Sequence, residues 1–217
     1  MRLALLPFFP GIGKKRVRRL MRLMGIEAFY PKPNLSKLGR AKYVMPYLLR
    51  GMNITRANQV WSTDITYIPM PCGHAYLYAV IDVFSRKIMS WGLYTTLEAN
   101  NAIEVVERAV ALHGKPEIIN SDQGSQYTSA VWLDWMKDAR IRVSMDGRGR
   151  CRDNAWIERF WRTLKVEYTW LHPYSTVEAM RNGIAWFIDY YNKRRRHSAI
   201  DNMTPDERYL NSRGIAA

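Results

Sequence analysis

The segment Ala75–Phe84, AYLYAVIDVF, constrains the fold more than any other part of the chain, because Asp82 is its only charged residue. A strand of this composition is buried on both faces, so it must lie inside a sheet that other layers cover from both sides. The neighbouring segments Val60–Pro69 and Arg86–Tyr94 are rich in β-branched and aromatic residues, which is typical of strands. Three consecutive antiparallel strands are the simplest arrangement of these segments.

Helices and strands alternate in the rest of the chain. Apolar periodicity and strand-forming runs predict a helix at Asn100–His113, a strand at Glu117–Ser121, a helix at Ala130–Ala139, a strand at Ile141–Ser144, and helices at Asp153–Thr169 and Thr176–Tyr191. The order predicts an α/β fold of the α+β kind, with a mixed sheet and helices on both of its faces.

The helix at Asp153–Thr169 carries two different stripes. The apolar stripe contains Ile157, Phe160, Trp161, Leu164 and Tyr168, and the polar stripe contains Asn154, Glu158, Arg162 and Lys165. Asp153 or Asn154 is a suitable N-cap. Taken alone, the polar stripe is also explained by a solvated surface, on which a Glu158–Arg162 pair contributes only ~0.3–0.5 kcal/mol.

Two further acids suggest a different role for this polar stripe. Asp64 lies in the middle of the first predicted strand, and Asp122 directly follows the strand at Glu117–Ser121. In the predicted architecture the helix that carries Glu158 can pack over both. Three converging carboxylates repel one another unless a divalent cation neutralises them. Oxygen ligands without nearby Cys or His favour Mg²⁺ or Mn²⁺, and two such ions ~3.5–4 Å apart stabilise an in-line phosphoryl displacement.

The three acids lie in the motifs WSTDITYI, SDQGSQYTS and DNAWIERFWRTLKVE, and 35 residues separate Asp122 from Glu158. This pattern resembles the D, D-35-E signature shared by retroviral integrases and insertion-sequence transposases of the IS-three type. The chain resembles the protein encoded by the second reading frame of these insertion sequences more than it resembles the retroviral integrases. The resemblance extends over roughly residues 14 to 208. It implies an RNase H-like fold and metal-dependent nicking of transposon-end DNA, followed by strand transfer by the freed 3′-hydroxyl.

The resemblance also implies roles for individual residues. Asp64, Asp122 and Glu158 correspond to the catalytic metal ligands, with water and later a DNA 3′-hydroxyl as nucleophile. The residues expected to contact DNA in this region are Lys165, Arg162, Asn154 and Gln126, together with Arg148, Arg150 and Arg152 of the loop before the helix. Supporting or capping roles for the two amides, and plain solvation of the loop arginines, remain alternatives.

The positive charge of the chain is concentrated near its N-terminus. The net charge is +14, and residues 1–56 contain 13 Lys and Arg but one acid, whereas residues 57–217 contain 20 Lys and Arg and 18 acids. We expect 1–56 to be a basic arm, the remnant of a helix-turn-helix region and a linker, and 57–217 to be the catalytic core with a helical tail. A helix at Lys14–Met24 is expected to bind DNA through Lys14, Arg18 and Arg22, although any basic amphipathic helix would look the same.

The two cysteines form no metal-binding or disulfide pattern, and no stretch approaches the ~20 apolar residues of a membrane span. We therefore expect a cytoplasmic protein that does not enter a membrane. The resemblance places it at the bacterial nucleoid, with transposon ends and target DNA as partners. It further implies a homo-oligomer in the synaptic complex and an association with the first-reading-frame transposase protein.

Two other functions fit the sequence. An RNase H-type nuclease acting on RNA–DNA hybrids would need a further carboxylate from the first core helix, where Glu104 and Glu107 lie. A non-catalytic basic DNA-binding protein, derived from a decayed transposase copy, would need none of the acids. Asp82 is expected to have a structural hydrogen-bonding role. We expect the tryptophans to serve mostly in the core or in packing contacts and not as platforms for base stacking; they are Trp132, Trp135, Trp156, Trp161 and Trp186.

Overall fold

The computed structural model of the chain describes residues 2–26, 43–70, 73–147 and 154–214. They belong to two compact units, Met1–Lys37 and Leu38–Ala217. The first unit contains helices α1 (Arg2–Leu5) and α2 (Lys14–Leu23). Apolar side chains of this unit line a cleft of about 620 Å³, namely Leu5, Phe8, Phe9, Val17, Leu20, Met21 and Met24.

The second unit is built on a five-stranded sheet in the order β3-β2-β1-β4-β5. The strands are β1 (Val60–Met70), β2 (Gly73–Asp82), β3 (Ile88–Tyr94), β4 (Ile118–Ser121) and β5 (Arg142–Met145). The first three pair antiparallel in sequence order, whereas β4 runs parallel to both β1 and β5. The predicted mixed sheet is therefore confirmed.

Helices cover both faces of this sheet. They are α3 (Ala99–His113), α4 (Ala130–Asp138), α5 (Ala155–Leu164), α6 (Val177–Lys193) and α7 (Pro205–Ser212). The pleat of the strands sends Trp61, Tyr78 and Val80 into one core with α3 and α4. Leu77 and Ala79 face the opposite side, where they pack against α5 and α6. The buried strand β2 thus has an apolar layer on each face, as its composition predicts.

Two helical segments differ from the sequence prediction. The helix predicted over Asp153–Thr169 ends as an α-helix at Leu164 and continues as a π-helical turn over Lys165–Thr169. The sequence prediction contained no helix after Tyr191, but Thr204 caps a further helix, α7, that begins at Pro205. The Thr204 hydroxyl accepts a hydrogen bond from Glu207 N (3.2 Å), and the Glu207 carboxylate accepts one from Thr204 N (2.8 Å). This capping box stabilises a helix too short to show clear periodicity.

The β2 strand ends at Asp82 because the side chain of this residue organises the following turn. Asp82 is fully buried, and its Oδ2 accepts hydrogen bonds from Ser85 N (2.8 Å) and Ser85 Oγ (2.6 Å). Its Oδ1 accepts a hydrogen bond from Asn58 N at 2.9 Å. The predicted structural role of Asp82 is confirmed by these bonds.

The described part of the predicted linker, residues 43–56, packs on the catalytic sheet. Leu48 N donates to Ser144 Oγ at 3.0 Å, and Leu49 is buried in a cluster with Val60, Val83 and Ile118. The domain limit between residues 56 and 57 stays a prediction, and the compact units of the structure divide between residues 37 and 38.

Trp132 and Trp161 are buried in the core, whereas Trp186 is 60% exposed and makes packing contacts with Tyr168 and Tyr190. Trp186 lies on the outer side of α6 and is parallel to Tyr190, with ring centroids 5.8 Å apart. Among the helices of the described residues, none has the length and apolar character needed to cross a membrane.

Candidate active site

Asp64 lies in the middle of β1 and faces α5. It is half-buried, and its Oδ2 accepts a hydrogen bond from the indole Nε1 of Trp161 at 2.9 Å. Trp161 is 5% exposed and belongs to the apolar stripe of α5 that packs against the sheet. The same packing that attaches α5 to the sheet therefore also fixes the orientation of this carboxylate.

Asp122 comes directly after β4, the parallel neighbour of β1. In this parallel pair Val60 lies opposite Ile118, and Ser62 lies opposite Asn120. If the same register is continued by two residues, Asp122 comes level with Asp64. The Asp122 Oδ1 accepts a hydrogen bond from Gly124 N at 2.9 Å. A Cβ on Gly124 would lie 2.9 Å from this same oxygen, so the loop can approach the carboxylate only because residue 124 has no side chain.

Glu158 lies on the first turn of α5, three residues before Trp161, and is exposed. Burial raises the pKa of Asp64 to about 7, and the negative charges of Asp122 and Glu158 add to this effect. Burial also raises the pKa of Asp122. The pKa of Glu158 is raised by burial and then by the charge of Asp122. The three acids therefore act on one another electrostatically.

The side chains around these acids suit a hard cation. Their ligand atoms are carboxylate oxygens, which Mg²⁺ and Mn²⁺ prefer. Within the described ranges, however, no three Asp, Glu, His or Cys side chains have the compact arrangement of a metal centre. Two of the acids are half-buried on the sheet while Glu158 is exposed on α5. The donor set fits a divalent ion, and Glu158 has to turn toward the two aspartates to complete it.

Asn154 connects the start of α5 to β1. It is 3% exposed, accepts a hydrogen bond from Ser62 Oγ, and donates through Nδ2 to Thr63 O at 3.5 Å. Asn154 is the N-cap residue of α5, as predicted, but its side chain makes no capping hydrogen bond and is used for the contacts with β1 instead. These contacts are to the two residues before Asp64 and hold the α5 N-terminus beside this acid. A contact of Asn154 with DNA stays a prediction.

Lys165 is the first residue of the π-helical turn and lies near the acids. It is half-buried, and burial lowers its pKa while the charge of Asp64 opposes that shift. Gln126 donates through Nε2 to Leu97 O at 3.3 Å and thereby attaches the loop after β4 to the segment before α3. Arg162 is exposed on α5. DNA contacts by these three residues stay predictions.

The remaining predicted DNA contacts lie elsewhere. Arg148, Arg150 and Arg152 fall outside the described residues. Lys14, Arg18 and Arg22 are exposed on α2, whose Val17 is buried. The exposure of the three α2 cations agrees with the predicted amphipathic helix.

Sequence reasoning missed the residues that position the acids. Trp161 was assigned to the core, although a buried indole N–H requires an acceptor and Trp161 lies one turn from Glu158. Tyr127, which is 1% exposed, has its hydroxyl 3.2 Å from Thr63 Oγ1 on the far face of β1. Burial raises the pKa of Tyr127, and the charge of Asp64 adds to the shift. No sequence pattern indicated the contact between Tyr127 and Thr63.

Solved structures with this fold are integrase catalytic cores. The HTLV-2 integrase catalytic core domain in complex with magnesium has a TM-score of 0.57 and 20% identity, over 71% of this chain and 97% of that chain. The simian T-cell lymphotropic virus intasome has a TM-score of 0.62 and 19% identity, over 95% of this chain and 69% of that chain. The fold is thus the RNase H-like fold of integrase-type polynucleotidyl transferases, as predicted.

Sequence comparisons identify the family within this class. Two models described as integrase core domain match residues 54–151 and 139–205. The transposase of insertion sequence element IS904 from Lactococcus lactis is 35% identical over 200 residues, 89% of this chain and 79% of the relative. InsK of IS150 from Escherichia coli is 32% identical over 90% of this chain and 71% of the relative. InsF of IS3A from the same organism is 35% identical over 69% of this chain and 53% of the relative.

The chain therefore belongs to the insertion-sequence transposases with an integrase core domain, enzymes of the DDE polynucleotidyl transferase class. Membership in this family indicates the use of a divalent metal ion.

Proposed function

We propose that Asp64, Asp122 and Glu158 are the catalytic metal ligands of this transposase, and that they serve nicking at transposon ends and strand transfer by the 3′-hydroxyl. The proposal is supported by the placement of the three acids in β1, at the end of β4 and on α5, near enough for their charges to act on one another. Their mutual charge contributes to raising the pKa of Asp64 to about 7. Acids that repel one another in this way are typical of a site that binds cations.

The chain's own residues prepare this site. Trp161 holds one oxygen of Asp64, the Gly124 amide holds one oxygen of Asp122, and Asn154 keeps the start of α5 beside β1. Two Mg²⁺ or Mn²⁺ ions bound here would stabilise the attacking and leaving oxygens of the phosphoryl transfer. Since water and then a DNA 3′-hydroxyl attack the phosphorus, no protein side chain needs to act as nucleophile.

Basic and amide side chains around the acids would hold the DNA. Lys165 lies near enough to Asp64 to interact with its charge, so it would contact a phosphate close to the reacting one. Arg162, Asn154, Gln126 and the loop arginines Arg148, Arg150 and Arg152 would contact flanking nucleotides. Lys14, Arg18 and Arg22 of α2 would bind DNA outside the core, because phosphate contacts by exposed cations supply sequence-independent affinity.

No observation favours an RNA–DNA hybrid nuclease. Helix α3, which would supply the additional carboxylate, packs on the sheet face opposite to the one that Asp64 and α5 share. Glu104 pairs with Arg108 at 3.2 Å, and Glu107 accepts a hydrogen bond from Trp135 Nε1 at 2.9 Å. Both acids of this helix are therefore engaged away from the site.

The proposal extends to the assembly. The HTLV-2 integrase core has been solved in dimeric and trimeric forms, and the simian T-cell lymphotropic virus integrase in an intasome. We propose that this transposase likewise forms a homo-oligomer when it pairs two transposon ends at the nucleoid, and that the first-reading-frame protein of its element assists in recognising those ends.

The test is a series of variants on linear DNA that carries candidate terminal repeats. Asp64→Asn, Asp122→Asn and Glu158→Gln should each reduce Mg²⁺-dependent strand cleavage to background while gel-shift assays still detect DNA binding. Asp134→Asn, a change at an exposed acid of α4, is the matched control and should cleave normally. Cleavage at the normal rate by any of the three variants would refute the assignment of that residue. If all three variants kept the normal DNA binding and the normal level of nicking, a non-catalytic DNA-binding protein would be favoured.

A further inference from the structure

Four basic residues surround the buried side chain of Tyr191 beside α5. They are Arg86 from the β2–β3 turn, Arg159 from α5, and Arg195 and His197 from the segment after α6. We call them the basic pocket. None of them belongs to the acidic site. They come from three parts of the chain, each more than 30 residues from the next in sequence.

Arg86 has an unused hydrogen-bond donor. Its guanidinium carbon lies 5.8 Å from the ring centroid of Trp156, and its Nη1 is buried without an acceptor among the described residues. The nearest acid along the chain, Asp82, already accepts hydrogen bonds from Ser85 and Asn58. Arg86 also has a φ of 68°, in the left-handed region where glycine is the favoured residue, so this turn keeps a long cationic side chain at a strained position.

His197 has a second unused donor. Arg195 Nη1 lies 3.4 Å from His197 Nδ1 and must be the donor, because a guanidinium group has no acceptor. The ring proton of the neutral imidazole is therefore on Nε2. This atom is buried without a partner in the described part of the chain. An anion in the pocket would accept hydrogen bonds from both His197 Nε2 and Arg86 Nη1.

The positive charge of the pocket is only partly neutralised. Arg195 donates to both carboxylate oxygens of Glu167, at 2.9 and 2.6 Å, so this acid is already paired. Arg159 is exposed and forms no ion pair with a described acid. Burial, and then the charge of Arg159, lowers the pKa of Arg86 to about 10. Burial and the charges of Arg195 and Arg86 lower the pKa of His197 to about 4. The cations thus repel one another, which an anion would relieve.

The position of the pocket indicates which anion it would bind. Arg159 directly follows Glu158, and Trp156 lies in the same helical turn, but successive residues of a helix point about 100° apart. The basic pocket and the acidic site therefore lie on neighbouring sides of α5, separated by less than one helix diameter of ~10–12 Å. This separation corresponds to roughly two or three nucleotides of one DNA strand.

We propose that Arg86, Arg159 and His197 form a binding site for a phosphodiester group of the DNA backbone, a few nucleotides from the phosphate that reacts. The site rests on the proposed function, because it assumes that DNA passes over α5 next to Glu158. Arg159 provides the exposed entrance, and Arg86 and His197 supply the donors that have no acceptor among the described residues. Arg195, which is paired with Glu167, keeps the His197 ring in its tautomer.

The test measures DNA binding without chemistry. The full chain, in EDTA, is titrated against a fluorescein-labelled 30-base-pair duplex of arbitrary sequence, and anisotropy gives the association constant at several NaCl concentrations. Each phosphate contact contributes about −0.9 to the slope of log K against log [NaCl]. Arg159→Gln and Arg86→Gln should each make the slope less steep by about 0.9, and Arg159→Lys should restore it.

Arg142→Gln is the matched control, since it removes one exposed arginine from the edge strand β5, and it should leave the slope unchanged. The proposal is overturned if both pocket variants keep the normal slope, or if Arg142→Gln changes it equally. Arg159 is exposed, so its variant decides the matter even if Arg86→Gln does not fold. Because no metal is present, the outcome is independent of whether Asp64→Asn abolishes cleavage.

Discussion

At the scale of single residues, the orientation of one carboxylate depends on one indole. A comparison of two buried tryptophans separates the contribution of this indole's hydrogen bond from the contribution of its apolar ring. Trp161 donates its N–H to Asp64, whereas the N–H of the fully buried Trp132 has no acceptor in the described part of the structure. Both rings lie in apolar clusters on the sheet. Replacing each by Phe therefore removes a similar apolar volume, but only one of the changes removes a hydrogen bond to a charged group.

We expect Trp161→Phe to lower the free energy of unfolding by about 1.5–3 kcal/mol more than Trp132→Phe does, which is the contribution of a hydrogen bond to an ionised acceptor. The rise in Tm caused by Mg²⁺ should also be smaller in Trp161→Phe, because Asp64 is then free to rotate away from the ion. Urea unfolding and thermal denaturation with and without Mg²⁺ measure the two effects. Equal stability and equal Mg²⁺ response of both variants would show that the indole does not position Asp64.

At the scale of elements, the loop after β4 is as important as the strand itself. Parallel pairing with β1 brings Asp122 level with Asp64, and the tight turn that follows returns the Gly124 amide to the Asp122 carboxylate. The close approach at residue 124 leaves no room for a methyl group, since a Cβ would lie 2.9 Å from Oδ1 and 3.5 Å from Oδ2. The loop therefore determines where this acid points.

We expect Gly124→Ala to displace the Asp122 carboxylate and to reduce Mg²⁺-dependent strand cleavage by about 10²-fold, the cost of misplacing a reacting group by ~1 Å. Its thermal stability should change little, because residue 124 is only half-buried. Ser125→Ala, at an exposed position of the same loop, is the control. Single-turnover cleavage rates provide the measurement, and a normal rate in the Gly124 variant would contradict the assigned role of the loop.

At the scale of the whole molecule, the described segment before β1 is part of the sheet's hydrophobic environment. Leu49 is 6% exposed in its cluster, and Met145 N lies 3.4 Å from Pro46 O at the end of β5. The polypeptide before residue 57 thus supplies contacts that the catalytic sheet cannot supply to itself. The residues that stabilise the catalytic sheet therefore include the segment from residue 43 onward, whatever the role of the basic arm.

We expect a chain that begins at residue 57 to be less stable than one that begins at residue 38, by at least ~2 kcal/mol, because it loses the buried Leu49. Urea unfolding of the two truncated chains measures the difference. Leu49→Ala in the longer chain should reproduce most of the loss. Equal stability of the two truncated chains would support the domain limit at residues 56 and 57.

The sequence by itself determined the order of the core strands and helices, since periods of 2 and 3.6 residues appear directly in the pattern of apolar side chains. It also indicated Asp64, because an acid in the middle of an apolar strand requires compensation. The resemblance of the surrounding motifs to those of integrases and transposases made Asp122 and Glu158 candidates as well. The π-helical turn at Lys165 and helix α7 were missed, since backbone hydrogen bonding and a single cap leave little periodic signal.

Only the tertiary structure decided which groups hold the acids in place. The contacts of Trp161 with Asp64 and of Asn154 with Ser62 join residues 97 and 92 positions apart. The donors of Arg86 and His197, which have no acceptor in the described segments, likewise become apparent only when the β2–β3 turn, α5 and the tail meet. Periodicity reports which face of an element a side chain occupies, whereas a hydrogen bond depends on distance and direction between elements, and these are determined by packing.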